Sequence, residues 1–199
     1  MVMNNTFSRR AFVASLAALT LPLPAFALSG SAAENLVESA VADINKIIAS
    51  GKSESAILRD FQRVFERYAD VNIIALTTLG PARRTASNAE VAAFVDAFKG
   101  YFTRKYGRRF NEFVGGQIIV EGSRSAKSNV EVQSTAKLRG SAPFKVTWLV
   151  SDKSGSPKIF NIVIEGVNTL TSERAEIGAM LDKRRGDIGA LTADLKKLG

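Results

Sequence analysis

Clustered arginines and two isolated carboxylates are the residues whose types and positions could do chemistry. Arg83-Arg84 follow a Gly80-Pro81 break, and Arg104-Lys105 with Arg108-Arg109 end an aromatic segment. Either group could lie at a cavity mouth and meet a phosphate, because a guanidinium presents a fork of donors matched to oxyanion oxygens. A solvated helix end is the competing reading, since the helix dipole favours cations there. Asp70 and Glu165 are the candidate general acids or bases, yet neither has a sequence neighbour that would complete a catalytic pair, and capping or strand-end roles compete. The sequence contains no cysteine and no histidine. That excludes a disulfide, a thiolate nucleophile, a Cys/His zinc site, a histidine-assisted serine triad and an imidazole switch. There is no Gly-rich phosphate loop, metal-ligand cluster or nucleophile elbow, so neither a catalytic residue nor a cofactor or metal is expected.

The elements that must position these residues divide into a helical half and a sheet half. From Glu34 to Ala49, apolar residues such as Val37, Val41, Ile44 and Ile48 recur at three- and four-residue steps, which predicts an amphipathic helix. Ser53 to Tyr68 repeats the pattern through Phe61, Phe65 and Tyr68, and Val71 to Leu79 reads as a short buried helix ended by Gly80-Pro81. Ser87 and Glu90 have capping-box spacing ahead of the stripe Phe94, Phe98, Tyr101, Phe102 and Tyr106, and Arg108 to Val114 adds a further turn. Beyond Gly115-Gly116 the period changes to two. Ile118 and Val120, Val130 to Leu138, Phe144 to Val150, and Phe160, Ile162 and Ile164 each predict one side of a strand, with Glu121, Glu131, Lys145 and Asn161 turned to solvent. Short, turn-rich connections favour an antiparallel meander. Helices over Ser172 to Arg184 and Asp187 to Lys197 close the chain. The expected fold class is α+β: a helical layer on one face of a curved, about four-stranded antiparallel sheet. Whether an apolar cavity lies between the layers is a question periodicity cannot answer. Most of the aromatic stripe, including Phe110 and Phe113, reads as core.

Residues 1–27 read as a cleavable export signal. Arg9 and Arg10 form the positive region, Ala11 to Leu21 the apolar run, and Ala25-Phe26-Ala27 the small-x-small cleavage pattern. Ser8-Arg9-Arg10-Ala11-Phe12 resembles a twin-arginine signal, with general secretion the alternative. The run is short of the ~20 residues that span a bilayer. Residues 28–199 are then one domain whose expected location is the periplasm. Losing Arg9 and Arg10 lowers the formal net charge from +8 to about +6, a basic balance that favours phosphate on lipid head groups or nucleic acid.

With these segments laid out, the chain resembles the MlaC, or toluene-tolerance, family of periplasmic phospholipid-binding proteins. The resemblance rests on Leu79-Gly80-Pro81-Ala82-Arg83-Arg84-Thr85-Ala86-Ser87, on Ile159 to Val167 and on Arg185-Gly186-Asp187-Ile188-Gly189-Ala190-Leu191. Pro81-Ala82 departs from the family, which usually has larger residues there. The resemblance implies a non-enzymatic phospholipid carrier, with acyl chains in an apolar cavity between the layers. Its partners would be an inner-membrane ABC transporter complex with an MlaD-type subunit, an outer-membrane MlaA-type complex and, transiently, the membrane surface, with no nucleic acid. On this reading Phe61, Phe65, Leu76, Phe94, Phe98, Phe102, Val132, Val146, Trp148, Ile164, Val167 and Leu170 line the cavity, and Arg83 and Arg84 contact the head group. A carrier of another lipid such as a hopanoid, a small-substrate enzyme on a cone-shaped α+β fold using Asp70 or Glu165, and a protein-binding module with a solid core stay open as alternatives.

Overall fold

The computed structural model describes residues 28–108 and 116–198. The signal segment, Arg109, Phe110, Phe113 and nearly all of the turn expected at 108–114 lie outside the described residues.

Four helices come first: α1 (Gly30–Ile48), α2 (Glu54–Tyr68), α3 (Val71–Leu79) and, after a 3-10 turn at Gly80–Arg84, α4 (Asn88–Gly107). Side chains cap them where the sequence provides oxygens to accept orphan amides. Ser29 accepts from Ala32 N at 3.2 Å, Asp70 from Ile73 N at 3.1 Å, and Ser87 and Glu90 form the reciprocal capping box. Asp70 is therefore a cap, the role its position after α2 already suggested.

Strands β1 (Gln117–Ala126), β2 (Asn129–Lys137), β3 (Phe144–Ser151), β4 (Lys158–Ile164) and β5 (Val167–Asn168) pair antiparallel in sequence order. The fifth strand adds two residues to the four expected. It exists because Glu165 and Gly166 both take positive φ, 49° and 79°, which is the backbone of a two-residue hairpin turn. The Glu165 carboxylate accepts from the backbone N–H of Lys145 and sits at a strand end. Helices α5 (Thr169–Lys183) and α6 (Ile188–Leu195) follow, capped by Asn168 and Asp187.

The alternation in β2 and β3 is regular: Val130, Val132, Ser134 and Ala136, with Val146, Trp148 and Val150, form one buried face. In β4 the expected alternation fails. The register between β3 and β4 shifts where Leu149 faces Asn161 and Val150 faces Ile159, leaving Phe160 as the extra residue of a bulge. The bulge sets Ile159 in place of Phe160 opposite Val150, and Asn161, expected in solvent, pairs with Leu149 and is buried. Its side chain donates to Asn168 Oδ1 at 3.0 Å and accepts from Leu170 N at 3.1 Å, so it fixes the start of α5.

The helices do not form an even layer over this face. Helix α1 packs on β1 and β2, whereas α3 and α5 pack on β4. The core is accordingly divided into a helical cluster around Phe94, Phe98, Ile177 and Leu191, a sheet cluster of α1 with β2, β3 and β4, and a small cluster around Ile47 and Phe61. Complete burial of Phe94 and Phe98 contributes about 1.5–3 kcal/mol each to the helical cluster.

Candidate ligand cavity

An apolar cavity of about 110 Å³ lies where the three clusters meet. Helix α2 supplies Phe61, Val64, Phe65 and Tyr68, which share one face through their three- and four-residue spacing. Ala40 and Ile44 of α1, Phe102 of α4, Trp148 of β3, the bulged stretch Ile159 to Ile162 of β4, and Leu170 of α5 complete the wall. The close approach of α4 to α2 depends on Gly107, where a Cβ would stand 2.5 Å from Leu58 Cδ2 and 3.2 Å from Phe61 Cδ1. Ring contacts continue along this seam, with Phe102 and Tyr106 centroids 4.4 Å apart. Trp148 is held in place by donating from Nε1 to Ser134 Oγ at 2.9 Å.

The sequence-derived lining divides on inspection. Phe61, Phe65, Phe102, Trp148 and Leu170 reach the cavity. Phe94 and Phe98 are fully buried in the helical cluster and do not reach the cavity. Val132 and Val146 belong to the sheet cluster, Leu76 is half-buried on α3, and Ile164 and Val167 are 39% and 59% exposed at the β4–β5 hairpin. Arg83 and Arg84 line a separate recess with Arg174. Neither Asp70 nor Glu165 lines the cavity.

The carboxylate that does reach the cavity is Glu173, only 2% exposed. It accepts from Lys105 Nζ at 2.6 Å and from the Tyr106 hydroxyl at 2.5 Å, and the Tyr101 hydroxyl is 3.5 Å away. Lys105 also donates to Glu176 at 2.6 Å and to Tyr101 at 3.0 Å. Burial alone would lower the Lys105 pKa, but its bonds to Glu173, Glu176 and Tyr101 outweigh that and hold the ammonium well above the ordinary lysine range. Burial, reinforced by the bond to Glu173, raises Tyr106 strongly, and burial likewise raises Tyr101. The cluster thus stays ionic at Lys105 and neutral at both phenols near neutral pH. It joins α4 to α5 beside the greasy wall. The sequence carries a signal for Glu173 after all: it shares the four-residue step with Ile177 and Leu181, the buried face of α5.

A helical layer on one face of an open antiparallel sheet, with an apolar hollow between them, defines an α+β domain built around an internal cavity. The chain belongs to the MlaC family: the family profile described as MlaC protein matches residues 36–197. Its fold is similar to that of a phospholipid-binding protein from Ralstonia solanacearum whose structure was determined in complex with a phospholipid. The TM-score is 0.72 at 20% sequence identity, over 83% of this chain and 95% of the other. Among the described residues no helix is long and apolar enough to cross a membrane, and no group of acidic residues could hold a metal ion.

Proposed function

We propose that this chain is a periplasmic phospholipid carrier that receives lipid from one membrane complex and delivers it to another. The acyl chains occupy the cavity between α2, the sheet and α5. The observation that carries this reading is a void walled by Phe61, Phe65, Phe102 and Trp148 in a member of the MlaC family. Lipid binding in the Ralstonia solanacearum protein of similar fold supports it.

Exposing a methylene to water costs about 0.8 kcal/mol, so two chains of some fifteen carbons would cost over roughly 20 kcal/mol. A carrier abolishes that barrier by offering walls nearly as apolar as the bilayer. Transfer is then close to balanced, and direction comes from concentration or from an ATP-driven partner. No catalytic residue is needed for it.

At about 110 Å³ the cavity is smaller than the ~300 Å³ at which ligand pockets begin. Loading therefore widens it. The division of the core into three clusters makes this physically reasonable, because the clusters can part at their junction while each keeps its own packing. In this reading the partners are an outer-membrane MlaA-type complex and an inner-membrane ABC transporter with an MlaD-type subunit, and residues 1–27 are removed on export.

Native mass spectrometry of the protein released from its own periplasm tests the reading. Masses corresponding to bound two-chain lipid are expected. Recovery of lipid-free protein alone, under conditions in which another lipid carrier keeps its cargo, overturns it.

A further inference from the structure

Arg83, Arg84 and Arg174 line a recess of about 240 Å³ whose other lining residues are Thr77, Gly80 and Pro81. No carboxylate lines it. Among the described residues, none of the three guanidinium groups makes a side-chain hydrogen bond or an ion pair. Most other cations of the helical layer are paired: Lys99 with Glu66 and Asp96, Lys105 with Glu173 and Glu176, and Arg184 with Asp194. All three arginines are exposed and carry no counter-charge partner, and an oxyanion placed in the recess would accept their donors.

The recess is built, not accidental in shape. Gly80 has φ +64° and carries no side chain on the side where Arg174 lies, with Arg174 Nε 3.6 Å from where a Cβ would stand. Pro81 and the 3-10 turn then bring Arg83 and Arg84 round to the same hollow.

Its position relative to the cavity gives the recess its meaning. Ile74 of α3 and Leu170 of α5 line the apolar cavity, whereas Thr77 and Arg174 line the recess. Each of the latter stands about one helical turn, or ~5 Å, beyond its cavity-lining neighbour, on two helices that pack side by side. The two hollows thus lie along the same pair of helices, within the span of one amphiphile. We infer that the recess formed by Arg83, Arg84 and Arg174 is a phosphoryl-group site, set one helical turn from the apolar cavity along the α3–α5 seam. In its lipid form this rests on the carrier reading, and the phosphoryl group is then the one that joins the head group to the glycerol.

The test compares wild type with the triple variant Arg83→Gln, Arg84→Gln, Arg174→Gln, and with the exposed double variant Arg83→Gln, Arg84→Gln in case the triple unfolds. Each protein, stripped of lipid, is mixed with equimolar dioleoylphosphatidic acid and dioleoylglycerol and read by native mass spectrometry. In parallel, inorganic phosphate is titrated while the arginine Nε–H signals are followed by NMR. Wild type is expected to favour the phosphate-bearing lipid by about tenfold, a preference the triple variant loses while still taking up dioleoylglycerol. Shifted arginine signals with no lipid bound by any protein would leave the anion site standing with free phosphate as its ligand, and would overturn the carrier reading instead. An unchanged lipid preference in the variants, with arginine signals indifferent to phosphate, overturns the phosphoryl site and leaves the carrier reading untouched.

Discussion

The rings of Phe65 and Phe102 stack across the α2–α4 seam, with centroids 4.4 Å apart and planes 10° from parallel. Both rings also form part of the cavity wall. One pair thus ties the helices together and forms part of the wall, so the widening that the carrier reading requires would loosen the same contact.

Phe65→Ala is expected to destabilise the lipid-free protein by about 3–5 kcal/mol, through lost transfer energy and an enlarged void. The loss should differ in the lipid-loaded protein, because bound lipid stabilises each variant according to its own affinity and Phe65 forms part of the wall that lipid would meet. Urea unfolding of delipidated and lipid-loaded samples measures both. A loss of equal size in the two samples would place Phe65 away from the ligand.

Removing the buried carboxylate leaves Lys105 with only the half-exposed Glu176 as its acidic partner. Glu173→Gln should therefore cost about 1–3 kcal/mol. Replacing Lys105 with Met as well should cost less than the sum of the two single changes, since the pair is then removed whole. A double-mutant cycle by chemical denaturation checks this, and strict additivity would mean that the ion pair joining α4 and α5 contributes nothing.

Tyr68, on the cavity wall, donates to Asp43 Oδ2 at 2.6 Å and so fastens α2 to α1. That hydrogen bond, followed by the one from Lys46, holds the Asp43 carboxyl below the usual aspartate value near 3.8. A depressed folded-state pKa contributes stability that is full above the unfolded value and is lost as pH falls through the folded one. Tyr68→Phe should therefore be less stable than wild type at neutral pH, and the gap should narrow as pH drops below the ordinary aspartate range. Urea midpoints from neutral pH to about pH 2 test it. A gap independent of pH would mean that the phenol acts by packing alone.

Export through the twin-arginine route requires the pair Arg9-Arg10, so Arg9→Lys with Arg10→Lys should leave the protein in the cytoplasm with its first residues intact. Cell fractionation and N-terminal sequencing decide it. Undiminished export with a new N-terminus near Leu28 would assign the segment to general secretion.

Much of the architecture was legible because it is local. The three- and four-residue steps of α1, α2 and α4, the Ser87–Glu90 capping box and the period-two stretch of β2 and β3 each encode their element within a few residues. The bulge at Phe160 was not legible, because it is defined by the register of β4 against β3 and not by the β4 sequence, and it sets Ile159 instead of Phe160 opposite buried Val150. Five of the seventeen residues of the cavity wall, four of them aromatic, were among those expected from the sequence. Phe94 and Phe98 could not be told from Phe102 because all three occupy one broad apolar stripe, and only the packing of α2 on one side of α4 and of α6 on the other separates them. Glu173 stood in plain view on the buried stripe of α5, but its partners Tyr101, Lys105 and Tyr106 lie about seventy residues earlier, a distance that no local pattern bridges.

Trp148 is the one tryptophan of the chain and stands in the cavity wall, so its emission reports on whatever enters. The most direct measurement is its quenching by a phospholipid brominated midway along its acyl chains, compared with the same lipid brominated on the head group. Acyl-chain bromine should extinguish most of the emission and head-group bromine little of it. Lipid that binds in stoichiometric amount but leaves Trp148 equally bright in both cases would contradict the account, since the hydrocarbon would then lie somewhere other than between α2 and the sheet.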